Sequence, residues 1–353
     1  MVNLSYDILE YPSVKGIVIY NQDLIVFHSQ LLIILVIIVI LIRKKLKLSN
    51  KYLIIVLGPT AVGKTDLSLK IAQAFHTEII SSDSRQFYRE TQIGTAKPDE
   101  EELKLVPHHL IGNKSIQDFY DVKDFEKDAL EVLNVIFKSN DVAIMTGGSG
   151  LYVDIVCEGL DEIPEIDQKI RENIILEYEE RGISFLQEEL EKLDPDFYRK
   201  VDLNNPQRLM RAIEVCRGTG LPFSSFRVKK KVQRPFKIIK VGLERDREEL
   251  YARINQRMDM MIERGLFGEA EALFPFRHLN ALQTVGYTEI FGFMEGKYDR
   301  EEAIRLLKRN SRRYAKRQLT WFRRDLDIRW FHPEKEKEII QYIRNEINKS
   351  EGV

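Results

Sequence analysis

The chain has 353 residues, 44% of them hydrophobic and 31% charged, which is enough to bury a core and to form about two domains. The net charge is −1, so any affinity for nucleic acid must come from local clusters of Lys and Arg. With only two cysteines, Cys157 and Cys216, the composition excludes a zinc finger and a disulfide framework and is typical of a reducing cytosol.

The N-terminal extension, residues 1–50, contains a long apolar segment. Residues 24–42 include no Asp, Glu, Lys or Arg, and a helix of this length would span about 28 Å. Four basic residues follow between 43 and 47, so the positive-inside rule would leave the remainder in the cytoplasm. The segment is either a single-pass membrane anchor or the product of a mis-assigned start, and both readings predict a cytoplasmic remainder.

Residues 58–65, GPTAVGKT, match the phosphate-binding pattern G-x-x-x-x-G-K-[ST]. They follow an apolar run and precede a helical pattern, which is the order of strand, loop and helix in a P-loop. Gly58 and Gly63 allow backbone N–H groups to turn inward, and Lys64 supplies a positive charge. Thr65 would bind Mg²⁺ through its hydroxyl, so the loop predicts a phosphate site with Mg²⁺ as cofactor.

From Lys51 onward, apolar strands alternate with helical stretches, which predicts an α/β fold: a P-loop NTPase-like parallel sheet flanked by helices. Further strands are expected over 77–82, 141–145 and 236–243. Asp83 follows one of these strands and the glycine turn at 147–150 follows another. Ligands bind at the carboxyl ends of parallel strands, so the P-loop, Asp83 and the glycine turn are expected to meet in one crevice.

The domain plan places a charged helical insertion within this core. We assign 51–160 to the P-loop core, 161–204 to the insertion, 205–333 to the remainder of the core with basic helices, and 334–353 to a C-terminal amphipathic helix.

The strand at 141–145 ends in Thr-Gly-Gly and not in the acidic Mg²⁺ ligand of motor and switch NTPases. Metabolite kinases do not always have an acidic residue at that position, so the sequence does not exclude a metabolite kinase.

Further motifs, taken in chain order, resemble those of the tRNA dimethylallyltransferases, also called tRNA isopentenyltransferases. They are SSDSRQFY at 81–88, IGTAKP at 93–98, PHHLI at 107–111, GGSGLY at 147–152, NPQRLMRAIEV at 205–215, GLERDREELYARINQR at 242–257, VGYTEIFGFMEG at 285–296 and AKRQLTWFRR at 315–324. The resemblance extends over residues 51–332. It implies transfer of a dimethylallyl group from dimethylallyl diphosphate to the N6 amine of the adenine 3′-adjacent to the anticodon.

The resemblance also implies roles for individual residues. The diphosphate, as leaving group, would be bound by Gly58, Pro59, Thr60, Ala61, Val62, Gly63, Lys64, Thr65 and Arg245. Asp83 would be the catalytic base, assisted by Lys64 and Ser149, and Ser149 occupies a position where the family has Thr. Contact with the tRNA anticodon arm is implied for Asp83, Ser84, Arg85, Gln86, Ser149, Arg171, Gln207, Arg208, Leu209, Met210, Arg211, Arg313 and Arg317.

Two basic surfaces are predicted in the second half of the chain. Residues 305–324 include nine Lys or Arg and no Asp or Glu. Seven of them would share one side of a helix and form a basic stripe: Arg305, Lys308, Arg309, Arg312, Arg313, Lys316 and Arg317. A stripe of one sign repels itself unless an anion such as tRNA phosphate lies against it. The second cluster comprises Arg227, Lys229, Lys230, Lys231, Arg234 and Lys237.

Three alternatives remain open from the sequence. An adenylate isopentenyltransferase would share the loop and Asp83 but would need neither the insertion nor the basic stripe. A small-metabolite kinase would turn over ATP. A membrane-tethered RNA-binding module without activity would not need an intact loop, Asp83 and Ser149. The sequence indicates no obligate protein partner, and membrane contact is predicted only through residues 24–42.

Overall fold

The computed structural model describes residues 51–228 and 232–351. The apolar segment at 24–42, predicted as an anchor or an extension, lies outside these residues, as do Lys229, Lys230 and Lys231 of the second basic cluster. Across the two described ranges, no helix is long and apolar enough to span a membrane.

A six-stranded parallel sheet forms the centre of the described chain. Its strands are β1 (Tyr52–Leu57), β2 (Ile79–Ser81), β3 (His108–His109), β4 (Val142–Gly147), β5 (Lys237–Leu243) and β6 (Arg329–Phe331), in the order β3-β2-β4-β1-β5-β6. β1 pairs in parallel with both β4 and β5, and all six of its residues are buried. This confirms the predicted α/β class, and it places the carboxyl ends of β1, β2 and β4 at the same edge.

Helices connect the strands. They are α1 (Lys64–Phe75), α2 (Glu100–Leu105), α3 (Val122–Ser139), α4 (Gly150–Glu158), α5 (Gln168–Leu193), α6 (Pro195–Tyr198), α7 (Pro206–Thr219), α8 (Phe223–Phe226), α9 (Arg247–Glu263), α10 (Leu266–Leu273), α11 (Thr288–Met294), α12 (Arg300–Phe322) and α13 (Glu336–Glu351). Short 3₁₀ segments cover Phe274–Phe276 and Asn280–Leu282.

Alternation along β1 divides the core into two layers. Tyr52, Ile54 and Val56 pack with apolar residues of α1, α9, α12 and α13. Leu53, Ile55 and Leu57 pack with residues of α3 and α4. Successive side chains of a strand point to opposite faces, so the unbroken apolar run of β1 requires helices on both sides of the sheet.

The insertion has a core of its own. Ile174, Leu186 and Leu190 of α5 pack against Leu209 and Ile213 of α7, and all five side chains are fully buried. The boundary predicted at residue 204 therefore falls between two helices that share one apolar cluster. α7 begins after Asn205, whose side chain accepts a hydrogen bond from the Arg208 amide at 3.2 Å.

Candidate active site

The P-loop connects β1 to α1. Gly63 precedes the helix with a φ of 111°, a conformation that favours glycine. The Lys64 ammonium donates hydrogen bonds to the carbonyl oxygens of Gly58 and Pro59 at 3.0 and 2.9 Å. Burial lowers the pKa of Lys64 to about 8, although the nearby carboxylate of Asp83 opposes this shift. The lysine is therefore a partly buried cation held over the loop and close to the predicted base.

Asp83 lies two residues beyond β2, at the edge where the P-loop also lies. Its carboxylate accepts a hydrogen bond from the Arg85 amide at 3.0 Å. The Tyr314 hydroxyl is buried close by, and burial and the charge of Asp83 together raise the pKa of Tyr314. Asp83 thus has a fixed orientation and two close neighbours that can respond to its charge, Lys64 and Tyr314.

The glycine turn after β4 meets the segment that carries Asp83. The Ser149 hydroxyl accepts a hydrogen bond from the Ser84 amide at 3.0 Å and donates one to the Ser84 hydroxyl at 3.1 Å. The hydroxyl that stands in place of the family's Thr is therefore present and bonded next to Asp83. The structure brings together the three sequence-distant segments that were expected to share a crevice.

A cavity of about 70 Å³ lies beside the P-loop and the segment that carries Asp83, next to α9 and α12. Its lining residues are Thr60, Asp83, Arg85, Gly94, Thr95, Ile254, Arg257, Met258, Met261, Thr284, Val285, Ser311 and Tyr314. Polar groups come from the P-loop and the Asp83 segment, and apolar side chains come from α9. The arrangement suits a substrate with a charged end, an apolar end and a proton to lose.

Arg257 is a site residue to which the sequence assigned no role. Its guanidinium is partly buried in the cavity wall and donates a hydrogen bond to the Thr60 hydroxyl at 2.7 Å. Burial lowers its pKa and the charge of Asp83 opposes that shift. The sequence contains one indication of this role, because Arg257 lies one helical turn after Arg253 and therefore on the same side of α9. The Arg253 guanidinium also contacts the P-loop, donating a hydrogen bond to the Ala61 carbonyl at 3.0 Å.

Arg245, predicted to bind diphosphate, supports the P-loop from outside the cavity. Its guanidinium donates to the Val62 carbonyl at 3.0 Å and forms an ion pair with Glu249. Only 7% of its side chain is exposed, and it is not part of the cavity lining. In this structure the α9 side chain that faces the cavity with a positive charge is Arg257.

Arg85 and Gln86, predicted to contact tRNA, bind the protein's own backbone. The Arg85 guanidinium donates to the carbonyl oxygens of Asn280 and Ala281 at 2.7 and 3.2 Å. The Gln86 amide donates to the carbonyl oxygen of Ala96 at 3.1 Å. Both side chains therefore shape the cavity wall, and Arg85 also lines the cavity itself.

A single carboxylate fixes the loop that contributes Gly94 and Thr95 to the cavity. Glu269 accepts hydrogen bonds from the amides of Gln92, Ile93 and Gly94 at 2.8, 2.7 and 2.8 Å. It also accepts the hydroxyl of Tyr287 at 2.7 Å. A carboxylate bonded to three successive amides and a phenol holds this wall rigidly.

The polar residues of α5 and α7 that were predicted to contact tRNA meet on one surface. Arg171 donates to Glu214 at 3.0 Å and to Gln207 at 2.8 Å, while Arg211 donates to Glu214 at 2.7 Å. The buried carboxylate of Glu214, which sequence reasoning missed, therefore orients both arginines. Arg208 is exposed on the same helix.

Leu209 and Met210 require a correction. Their side chains are 0% and 3% exposed and belong to the apolar cluster of the insertion, so they cannot reach a molecule at its surface. Within this motif, the side chains that can contact tRNA are those of the polar neighbours Gln207, Arg208 and Arg211.

The basic stripe lies on α12 and also requires a correction. Acidic partners exist outside the run, because Arg305 pairs with Glu302 and Lys308 pairs with Asp259. Arg313, Lys316 and Arg317 are exposed, and no acidic side chain in the described part of the chain pairs with them. The Arg317 guanidinium lies 5.7 Å from the ring centroid of Tyr314, so the unpaired part of the stripe borders the cavity.

Comparisons with known proteins show which proteins this chain is similar to. The family model described as IPP transferase matches residues 86–325. The tRNA dimethylallyltransferase of Christiangramia forsetii is 54% identical over 300 residues, covering 85% of this chain and 99% of that protein. The tRNA dimethylallyltransferase 1 of Bacteroides thetaiotaomicron is 50% identical over 292 residues, covering 83% and 95%.

Solved structures show the same fold. The tRNA isopentenylpyrophosphate transferase of Bacillus halodurans is 36% identical, covers 86% of this chain and 98% of its own, and has a TM-score of 0.64. A eukaryotic dimethylallyltransferase acting on tRNA is 28% identical, covers 77% and 70%, and has a TM-score of 0.66. The resemblance predicted from the motifs is confirmed, and this chain belongs to the IPP transferase family.

Proposed function

We propose that this protein is a tRNA dimethylallyltransferase, which transfers the dimethylallyl group of dimethylallyl diphosphate to the N6 amine of the adenine 3′-adjacent to the anticodon. The observation that carries the proposal is that Asp83, Arg257 and the P-loop share one cavity beside an exposed basic helix face. Relatives over most of the chain have the corresponding name.

The geometry supports a division of labour in the reaction. A bond forms between the adenine N6 and the first carbon of the dimethylallyl group, while the bond from that carbon to the diphosphate oxygen breaks. Asp83 takes the proton that N6 loses, which is worth typically about 10² to 10⁴ in rate. Lys64, Arg257 and the P-loop amides stabilise the charge on the departing diphosphate.

We infer that Mg²⁺ is the cofactor and that Thr65 is its protein ligand. No residue in 51–228 or 232–351 forms a hydrogen bond with the Thr65 hydroxyl, which leaves that oxygen available at the start of α1. Mg²⁺ prefers oxygen ligands and commonly combines one protein oxygen with phosphate oxygens and waters. When bound, the ion would supply further neutralisation of the diphosphate charge.

The insertion and α12 favour tRNA over a free nucleotide. Positive charge that a mononucleotide would not need comes from Arg171 on the insertion, Arg208 and Arg211 on α7, and Arg313 and Arg317 on α12. Contacts with phosphates along the anticodon arm would also offset the few kcal/mol needed to unstack the target adenine.

The test is to incubate the full chain with Mg²⁺, dimethylallyl diphosphate and either unmodified tRNA or AMP, and to identify products by mass spectrometry. Prenylated tRNA with unchanged AMP is the expected result. Prenylated AMP would instead assign an adenylate isopentenyltransferase. If neither product forms, a parallel assay for ATP turnover with small-molecule acceptors would test the kinase alternative.

Replacing Arg208 by Gln is expected to raise KM for tRNA several-fold at low salt and to leave kcat and the melting temperature unchanged. The side chain is exposed, so its loss removes phosphate attraction without disturbing the core. The dependence of log KM on log salt should decrease in slope by about one. The measurement is steady-state kinetics with tRNA at several salt concentrations.

The matched control is Arg199→Gln, which removes an exposed arginine of the neighbouring insertion that pairs with Asp196. This variant should keep the salt slope of the parent. Equal slopes in all three proteins would remove Arg208 from the tRNA surface.

A further inference from the structure

Gln318 is a buried amide that lies in the motif at 315–324 and has no role in the reaction scheme above. It lies on α12 and is 5% exposed. Its side-chain oxygen accepts a hydrogen bond from the Thr60 amide of the P-loop at 2.8 Å. Its side-chain nitrogen donates to the Gly148 carbonyl of the glycine turn at 2.9 Å. One side chain therefore connects the diphosphate loop to the turn that precedes Ser149.

The orientation of this amide is determined by its partners. A carbonyl oxygen can only accept and a backbone N–H can only donate, so the two ends of Gln318 cannot be exchanged. The turn is built around it, because a Cβ on Gly148 would lie 2.1 Å from the Gln318 side-chain nitrogen. No other residue type could occupy position 148 while Gln318 keeps this place.

A second hydrogen bond fixes α12 near Gln318. Three residues along α12, the Trp321 indole donates to the Asp154 carboxylate of α4 at 2.9 Å. α12 also carries Arg313 and Arg317 on its exposed face. The helix that presents charge to tRNA is therefore bonded at Gln318 to the loop that holds the leaving group.

We propose that Gln318 is a positioning residue that holds the P-loop in register with the glycine turn, so that the diphosphate keeps a fixed separation from Asp83, whose neighbour Ser84 bonds to Ser149 of that turn. The proposal rests on the proposed function for its kinetic consequence. An in-line displacement depends steeply on the distance between nucleophile and leaving group, and a misplacement of about 1 Å can reduce the rate by about 10².

The chemistry of the amide supplies a specific test. A neutral glutamic acid at 318 can donate to the Gly148 carbonyl and accept from the Thr60 amide, whereas a glutamate anion can only accept. Burial raises the pKa of such a carboxyl, so protonation should occur within an accessible pH range. In Gln318→Glu, kcat relative to wild type should therefore rise as the pH falls from 8.5 to 6.

The comparison variants are Gln318→Met and Gln341→Glu. Gln318→Met keeps similar volume without hydrogen bonds and should lower kcat by about 10- to 100-fold at every pH, with unchanged affinity for tRNA. Gln341 is exposed on α13, so Gln341→Glu makes the same chemical change away from the site and should behave as wild type. Wild-type kcat in Gln318→Met, or a Gln318→Glu ratio that does not change with pH, would overturn the proposal.

A second readout does not depend on turnover. Binding of inorganic diphosphate with Mg²⁺, measured by calorimetry, should weaken in Gln318→Met because the P-loop loses its support. Gly148→Ala should weaken diphosphate binding similarly. The double variant Gly148→Ala/Gln318→Ala should bind diphosphate about as well as Gln318→Ala alone, because both changes remove the same contact. Unaltered diphosphate affinity in Gln318→Met and Gly148→Ala would contradict the role. If the wild-type protein binds diphosphate but prenylates no tRNA, the proposed function is wrong. The diphosphate affinities of the variants would then still test the role of Gln318.

Discussion

Asp83→Asn is expected to lower kcat for tRNA prenylation by about 10² to 10⁴ and to leave the affinity for tRNA nearly unchanged. Asparagine keeps the shape of the side chain and can still accept the hydrogen bond from the Arg85 amide. It cannot take the proton that the adenine amine loses. The positive surfaces on α12 and the insertion are untouched, so binding should persist. Single-turnover kinetics and a filter-binding measurement with unmodified tRNA separate the two quantities.

Asp66→Asn provides the matched control, since Asp66 is exposed on the first turn of α1, near the P-loop but outside the cavity lining. It should retain turnover. Loss of tRNA binding together with turnover in Asp83→Asn would mean that Asp83 is a structural residue of its turn and not the base.

The parallel sheet explains why much of the site could be predicted. The apolar strands before Gly58, Asp83 and Gly147 are each recognisable locally, and parallel pairing brings their carboxyl ends together. Local pattern and topology therefore sufficed for these three segments. They did not suffice for Arg257 and Gln318, whose partners in the P-loop lie 197 and 258 residues away in sequence.

Leu209 and Met210 show a different failure. They were assigned to the tRNA surface because they lie within a motif that as a whole implies tRNA contact. Both belong to the buried apolar side of α7, which also includes Ile213, and this indicates a core position, since a helix segregates apolar side chains on one face. At these two positions the helical periodicity of the apolar residues predicts burial, and it is a more direct indication than membership of the motif.

The acidic partners of the stripe could not be inferred from the run itself. Arg305 bonds to Glu302 only one turn before the run begins, and Lys308 bonds to Asp259 on α9. The second pairing depends on the packing of α9 against α12, which no local pattern specifies. The packing thus removes Arg305 and Lys308 from the unpaired part of the stripe, and the exposed residues Arg313, Lys316 and Arg317 remain.

Lys64→Met is expected to reduce kcat by about 10² to 10³, because it removes a partly buried cation that would stabilise the charge developing on the diphosphate. The wild-type lysine also predicts a pH dependence of binding. Its pKa is lowered to about 8, so it is charged and attracts diphosphate below that pH, and it becomes neutral above it. The affinity for inorganic diphosphate should therefore fall as the pH rises from 7 to 9.

Lys64→Arg separates this effect from titration of the diphosphate itself, since an arginine at 64 stays charged throughout this range. The ratio of wild-type to Lys64→Arg affinity, measured by calorimetry, should decrease above pH 8. A ratio that stays constant from pH 7 to 9 would show that Lys64 remains protonated at the loop, with Asp83 offsetting the effect of burial. In that case the lysine would contribute a fixed charge to diphosphate binding, and the loss of kcat in Lys64→Met would be the only signature of its role.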